Sequence, residues 1–251
     1  MNKKVVTILS AVALGLSASL INQSSQPASA AVIDHNKVVG FKETNPSNLT
    51  EQIEKKYKPV LKVYSGAVPF PAVDAAGNTS GGLQASGTPS GNASKSTGQV
   101  YARSGWYQGK WAIMYSWYFP KDEPDSRIGG HRHDWENIVV WLDNPANKNP
   151  KVLKVSYSAH GGYTSYGYSG KTFKGNTPLV GYDNMKPVPK FVDHSLSPSN
   201  GEVGGSQPLI GWDDLTPAAR NALNNTDFGK ANVPFKDANY QNNLKKALAS
   251  W

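Results

Sequence analysis

The chain has 251 residues, 38% of them hydrophobic, with 24 glycines, no cysteine and a formal net charge of +8. That length supports one domain with a sizeable core. The lack of cysteine excludes a disulfide framework, a cysteine nucleophile and thiolate metal ligands. Moderate basicity suits anionic surfaces such as phospholipid or sphingolipid headgroups and acidic polysaccharides, and is also ordinary solubility charge; no nucleic acid partner is expected.

Residues 1–30 have the layout of a secretory signal peptide: Lys3 and Lys4, an apolar run from Val5 to about Ile21, then the small-residue cleavage signal Ala28-Ser29-Ala30. The run is short and ends in a polar stretch, which argues against a transmembrane anchor. An exported mature domain is therefore expected over 31–251, stabilised by core packing with a metal as a further aid.

Helical signals sit near the edges. Asn45-Pro46-Ser47 precedes Leu49, Ile53 and Tyr57, which share one helical face. Thr216 and Pro217 read as cap and first-turn proline ahead of Ala219, Ala222 and Leu223. Asp237 is placed to cap a last helix with the stripe Tyr240, Leu244, Leu248 and Trp251. The middle of the chain reads as strands. Trp111 to Phe119 is aromatic and apolar on both faces, as a central strand would be, and Trp135 to Leu142 and Val152 to Ala159 follow at strand length. Gly, Ser, Asn and Pro dominate 74–98 and recur through 161–206, which predicts long loops. The pattern predicts a mainly β, single-domain β-sandwich with a few peripheral helices.

The chemistry gathers at 122–136. His131, His133, Asp134 and Glu136 fall within six residues at the start of a strand, with Asp122, Glu123 and Asp125 just upstream. Strand alternation puts Asp134 and Glu136 on one face with Ile138, Val140 and Leu142, and His133 and Trp135 on the other. Two adjacent carboxylates at a core edge repel each other and resist desolvation, and a divalent cation relieves both problems. Oxygen ligands with one imidazole, His131 rather than His133, suit calcium or magnesium with retained water, or manganese. Arg132 is expected to pair with a neighbouring carboxylate. The rival reading makes Glu136 or Asp134 a general base with His131 or His133 as acid in a secreted hydrolase or lyase. No Gly-x-Ser-x-Gly or His-Glu-x-x-His motif supports it.

The run from Trp111 to Asp122, followed by Gly130-His131-Arg132-His133-Asp134-Trp135-Glu136, resembles the signature of the necrosis- and ethylene-inducing-peptide-like proteins. Val32 to Val38, Pro71 to Asp74, Gly77 to Leu83, Ser156 to Gly162 and Gln207 to Leu248 extend the likeness over essentially all of 31–251. The resemblance implies a secreted cytolysin with an actinoporin- or fungal-lectin-like sandwich. Such a protein binds glycosylated inositol phosphorylceramides in plant plasma membranes and lyses the cells. It implies a required divalent cation, calcium or magnesium, held by Asp122, His131, Asp134 and Glu136 directly or through water. His160 falls at a headgroup-site histidine, and Asp193 with His194 at a further functional pair. The segment Ala112-Ile113-Met114-Tyr115-Ser116-Trp117 with Gly130 to Glu136 matches the peptide pattern detected by a plant leucine-rich-repeat immune receptor. A monomer in solution is expected.

Three departures stand out. Asp122 and His131 are nine residues apart, one more than is usual in the family, which makes Asp125 a substitute ligand for Asp122. The family's common disulfides are missing. No Trp occurs between Trp141 and Trp212, where relatives often carry a membrane-facing one, so Phe191 and Tyr182 are the aromatics available. A non-cytolytic family member, acting as a headgroup-binding module and immune pattern, is the alternative.

Overall fold

From Ala112 to Asp122 every residue is buried, and the rest of the fold is layered around that strand. A continuous aromatic and apolar run offers water no polar side, so both of its faces must be covered. The computed structural model describes residues 30–85, 96, 98–122, 130–183 and 194–251; the proposed signal segment lies outside them, except Ala30. In chain order the elements are β1 (Val32–Ile33), α1 (Leu49–Lys56), β2 (Val60–Val63), β3 (Thr79–Ser80), β4 (Val100–Tyr107), β5 (Lys110–Asp122), β6 (His131–Leu142), β7 (Val152–Ala159), β8 (Gly162–Tyr166), β9 (Phe173–Lys174), β10 (Thr177–Asp183), β11 (Ser195–Pro198), β12 (Leu209–Gly211), α2 (Pro217–Asn225) and α3 (Tyr240–Ala249).

The main sheet has the order β12-β4-β5-β6-β7-β8, with β5 inside it and antiparallel to both neighbours. A smaller sheet, β11-β10-β2 with β9 joined to β10, covers one face. Its Tyr182 stacks on Phe119 of β5 at 3.9 Å between ring centroids. The other face is covered by the C-terminal third, where Phe228 and Phe235 pack on Tyr118, Trp135 and Tyr101. The expected β-sandwich with peripheral helices is what forms.

Local departures from expectation have identifiable causes. The first helix is capped by Asn48, whose side chain accepts the Glu51 N–H at 3.0 Å. Ile53 and Tyr57 are buried, but Leu49, in the first turn, is 47% exposed. α2 follows its signal, with the Thr216 hydroxyl accepting from Ala219 N–H at 3.1 Å. Asp237 does not cap α3. Its carboxylate is taken by Arg103 at 2.9 Å and by the Asn224 amide at 2.8 Å. Trp251 ends outside the buried stripe, 43% exposed. The stretch 161–206 is not loop alone: β8 to β11 lie within it. Residues 86–95 and 97 of the earlier Gly/Ser stretch lie outside the described residues.

The two sheets are joined by a column of three rings. Phe119 stacks on Tyr182, and Tyr182 stacks on His194 at 4.8 Å and 17°. The column ends on Asp122, which is 1% exposed. Its oxygens face His194 Nδ1 at 2.5 Å and the His194 backbone N–H at 3.2 Å. Behind the imidazole, Nε2 meets the Ser65 hydroxyl at 3.1 Å, and Ser65 donates to Asp183 at 2.7 Å.

Two stability measurements follow. His194→Ala strips a buried carboxylate of its closest donor and unstacks Tyr182. Urea unfolding is expected to show a loss of about 2–3 kcal/mol. A loss below about 0.5 kcal/mol would mean that Asp122 is satisfied without it. The second concerns Glu54 on α1, which is 4% exposed and accepts from the Ser104 hydroxyl at 2.6 Å. Burial, with the charges of Asp214, Asp213 and Glu51, pushes its carboxyl from 4.5 up to about 7. Between those pH values the native state holds a proton that the unfolded chain has released. Stability contributed by the neutral acid is therefore lost as pH rises through that window. Glu54→Gln keeps an acceptor for Ser104. It is expected to stabilise by about 1–3 kcal/mol at pH 8 and negligibly at pH 4. An equal shift at both pH values would remove the charge from the explanation.

Candidate functional site

The site begins where β6 leaves β7. Those strands pair only from Ile138 to Leu142. At Asn137 the backbone N–H turns to the Ser158 hydroxyl at 2.9 Å, and Tyr163 donates to the Asn137 side chain at 2.7 Å. From His131 to Glu136, β5 alone among the described residues is the ladder partner of β6. A cavity of about 490 Å³ opens along this released edge. Because it follows an edge, residues from both faces of β6 reach it.

Alternation holds here. Asp134 lies opposite Phe119 and Glu136 opposite Trp117, on the face toward the smaller sheet, while Trp135 lies opposite Tyr118. The Tyr182 hydroxyl donates to Asp134 at 2.9 Å, and the Ser158 hydroxyl donates to Glu136. Burial pushes the Asp134 carboxyl up to about 7, and the negative charge of Asp122 adds to the shift. The two acids therefore sit close enough to oppose each other's ionisation.

Pro120 shapes the imidazole beside them. It has no N–H to donate, and the β5–β6 register skips its position opposite His133. His133 adopts a φ of +61°. Its carbonyl accepts from His131 Nδ1 at 2.6 Å. A proton on Nδ1 leaves the lone pair on Nε2, which stands 3.8 Å from Asp122 Oδ2. His133 itself turns away, its Nδ1 2.6 Å from the Tyr118 hydroxyl and its ring edge-on to Phe228. Burial, with the positive charges of Arg132 and His131, lowers it to about 4. It faces neither acid, so the acid–base pairing of His133 with Asp134 or Glu136 required by one form of the hydrolase reading is not formed.

The donor set of Asp122, Asp134, Glu136 and His131 is chemically suited to a hard cation. Among the described residues, however, no three His, Asp or Glu side chains close around one point as a cage. An ion there would need water to complete its shell, as magnesium in particular tolerates. His160 lies on the β7–β8 turn at a φ of +49°, exposed and on the cavity wall. His194 also lines the cavity but is only 2% exposed and is spent on Asp122. Asp193, Asp125 and Phe191 lie outside the described residues.

Two expectations are corrected. Arg132 donates to the Gly81 carbonyl at 2.6 Å, not to a carboxylate. Tyr182 is fully buried in the ring column, so it is not a membrane-facing aromatic. Of the immune-pattern segment, Ala112 to Trp117 and His133 to Glu136 are buried, leaving Gly130, His131 and Arg132 less covered. The far wall of the cavity went unnoticed in the sequence. It is built by Lys230, Asn232, Asn242, Asn243 and Lys246. No motif marks them, and they reach the site only through the docking of the C-terminal segment.

Comparison with known proteins bears on this geometry. A sequence model of the necrosis inducing protein (NPP1) family matches residues 51–247. The chain is 49% identical to NLP effector protein 10 of Phytophthora capsici, over 87% of this chain and 92% of that one. It is 44% identical to the necrosis-inducing protein NPP1 of Phytophthora nicotianae, over 84% and 88%. Among solved structures it is similar to NLPPya in complex with mannosamine, with 46% identity, a TM-score of 0.78, and coverage of 86% and 99%. It is equally similar in fold to the non-toxic HaNLP3 protein, with 41% identity, a TM-score of 0.79, and coverage of 85% and 98%. The chain belongs to the necrosis inducing protein (NPP1) family of toxins.

Proposed function

We propose that the chain is a secreted, non-enzymatic cytolysin whose acidic cavity binds the sugar headgroup of glycosylated inositol phosphorylceramides in plant plasma membranes. The observation that carries this reading is the cavity along the released edge of β6, floored by Asp134 and Glu136 and flanked by His131, His160 and Asp122. One relative, NLPPya, solved with mannosamine and with glucosamine, supports a sugar ligand. An acidic floor suits the ammonium of an amino sugar as well as a metal ion.

A divalent cation, calcium or magnesium with manganese as a further option, would take Asp122, His131, Asp134 and Glu136 as ligands, in part through water. Bound there, it would neutralise the opposed carboxylates and present a Lewis-acidic position to sugar hydroxyls. His131 is oriented for this by the His133 carbonyl, and Asp122 by His194. Second partners of this kind tune a ligand's basicity and aim. Export would follow from the segment 1–30. Detection by a leucine-rich-repeat receptor through 112–136 would require the segment to leave the fold, since most of it is buried.

The test is dye release from vesicles that contain or lack the plant glycosylated sphingolipid. Leakage is expected only with the sphingolipid, and is expected to stop with chelator and return with added calcium or magnesium. Glu136→Ala should weaken metal binding at least about tenfold and abolish leakage, with an unchanged circular dichroism spectrum. Intact vesicles at high protein in the presence of both cations would overturn the cytolytic reading. Mass loss from the sphingolipid after exposure would overturn the non-enzymatic one.

A further inference from the structure

The acids of this chain are unevenly placed. From Asn144 to Tyr182 there is none, yet Lys148, Lys151, Lys154, Lys171 and Lys174 fall in that stretch. The fold gathers most of them at one end of the sandwich. The β6–β7 turn carries Lys148 and Lys151, and the segment between β8 and β10 carries Lys171 and Lys174; all four are exposed. Tyr57 links the two segments. Its hydroxyl donates to the Pro150 carbonyl at 2.9 Å. Burial, then Asp143 and Tyr168, raise its phenol above the ordinary value, which sets Tyr168 within electrostatic reach. Tyr168 is 56% exposed and held flat. Its ring stacks on the buried Phe173 at 5.0 Å and 26°, and its hydroxyl donates to the Gly175 carbonyl at 3.1 Å. Tyr166, 39% exposed, meets Tyr157 edge to face at 5.8 Å. Among the described residues none of the four exposed lysines is in an ion pair. The bordering acids are engaged. Asp143 accepts from the Asn144 and Lys151 N–H groups at 2.6 and 2.8 Å. Glu202, beside a glycine that approaches Gly170, pairs with Lys62 at 3.4 Å and accepts from the Tyr64 hydroxyl at 3.0 Å.

We propose that this end of the sandwich is a docking surface for an acidic polysaccharide, one whose sugar rings carry carboxylates. The lysines complement the carboxylates. The tyrosines complement the rings: an aromatic face carries partial negative charge, which the C–H groups on one face of a sugar meet. Both tyrosines are fixed by their own contacts, so little side-chain freedom is lost on docking. A lipid surface is the weaker fit. Interfacial anchors bury an apolar side in the headgroup region, and the large hydrophobic residues exposed between 144 and 182 are these two tyrosines alone, each held against another ring. The surface lies at the far end of β7 from the His160 turn, roughly 25 Å away by strand rise. Polymer and headgroup therefore have separate places, and the proposal rests on neither the metal nor the sugar reading of the cavity.

The experiment titrates the full chain, in chelator, with three probes: polygalacturonate, its methyl ester, and polyglutamate as a polyanion without sugar. Chelator removes any cation from the cavity, so failure of the cavity reading leaves this result untouched. Polygalacturonate is expected to bind, more weakly as salt is added. The methyl ester, which keeps the rings and loses the charge, and polyglutamate, which keeps charge without rings, should each bind at least about fivefold more weakly. The triple variant Lys151→Gln/Lys171→Gln/Lys174→Gln should lose about tenfold or more in affinity for polygalacturonate, the scale of three exposed ion pairs together. These side chains make no hydrogen bond among the described residues, so thermal unfolding should be unchanged. Equal binding of polyglutamate would reduce the surface to bare charge and overturn the polysaccharide assignment. Unchanged affinity in the triple variant would place the polymer elsewhere and overturn it too. Absence of polygalacturonate binding would overturn the proposal outright, and lysine-dependent binding to phosphatidylserine vesicles would then assign the surface to a lipid.

Discussion

Asp122 is a carboxylate with 1% of its surface exposed, at the end of a strand buried on both faces. A charge in that position has to be met by donors or it destabilises the fold by several kcal/mol. The backbone N–H and imidazole of His194 meet it, and the imidazole is held flat by Tyr182, which is held by Phe119. The consequence reaches beyond one ion pair. The same Tyr182 uses its hydroxyl on Asp134, so the column that satisfies the first acid also orients the second. Packing between sheets and the electrostatics of the cavity are therefore one system.

The sequence carried much of this, unevenly. The central strands were readable because aromatic and apolar residues run without interruption from Trp111 to Phe119. The separation of Asp134 and Glu136 from His133 and Trp135 needed only the period of two. What stayed hidden depended on partners distant in the chain. The Leu179-Val180-Gly181-Tyr182 of β10 sits among turn-forming residues, so its place inside the smaller sheet left no local trace. Asp237 looked like a cap because acids favour helix starts, yet Arg103 and Asn224 are better placed to claim it. The lysines and asparagines of the far cavity wall are separated from the acidic motif by about a hundred residues. Only the docking of the C-terminal segment brings them to it.

Family membership fixes the scaffold without fixing toxicity. A structure named as a toxin fold and one named as non-toxic both match this chain with TM-scores near 0.8. The sandwich is common to both, so the fold by itself does not decide between them. The cavity of this chain is lined by residues on two separate walls, set by two different parts of the sequence.

The released edge of β6 has one more consequence. Among the described residues no strand pairs with it; an unpaired edge is a template onto which another chain can add, and proteins shield such edges with turns, charge or a covering segment. Here the shield is the polar C-terminal wall, with its lysines and asparagines, standing over the gap left by β7. The opening is thus also a point of weakness in the sheet, and the segment that lines it covers the exposed edge.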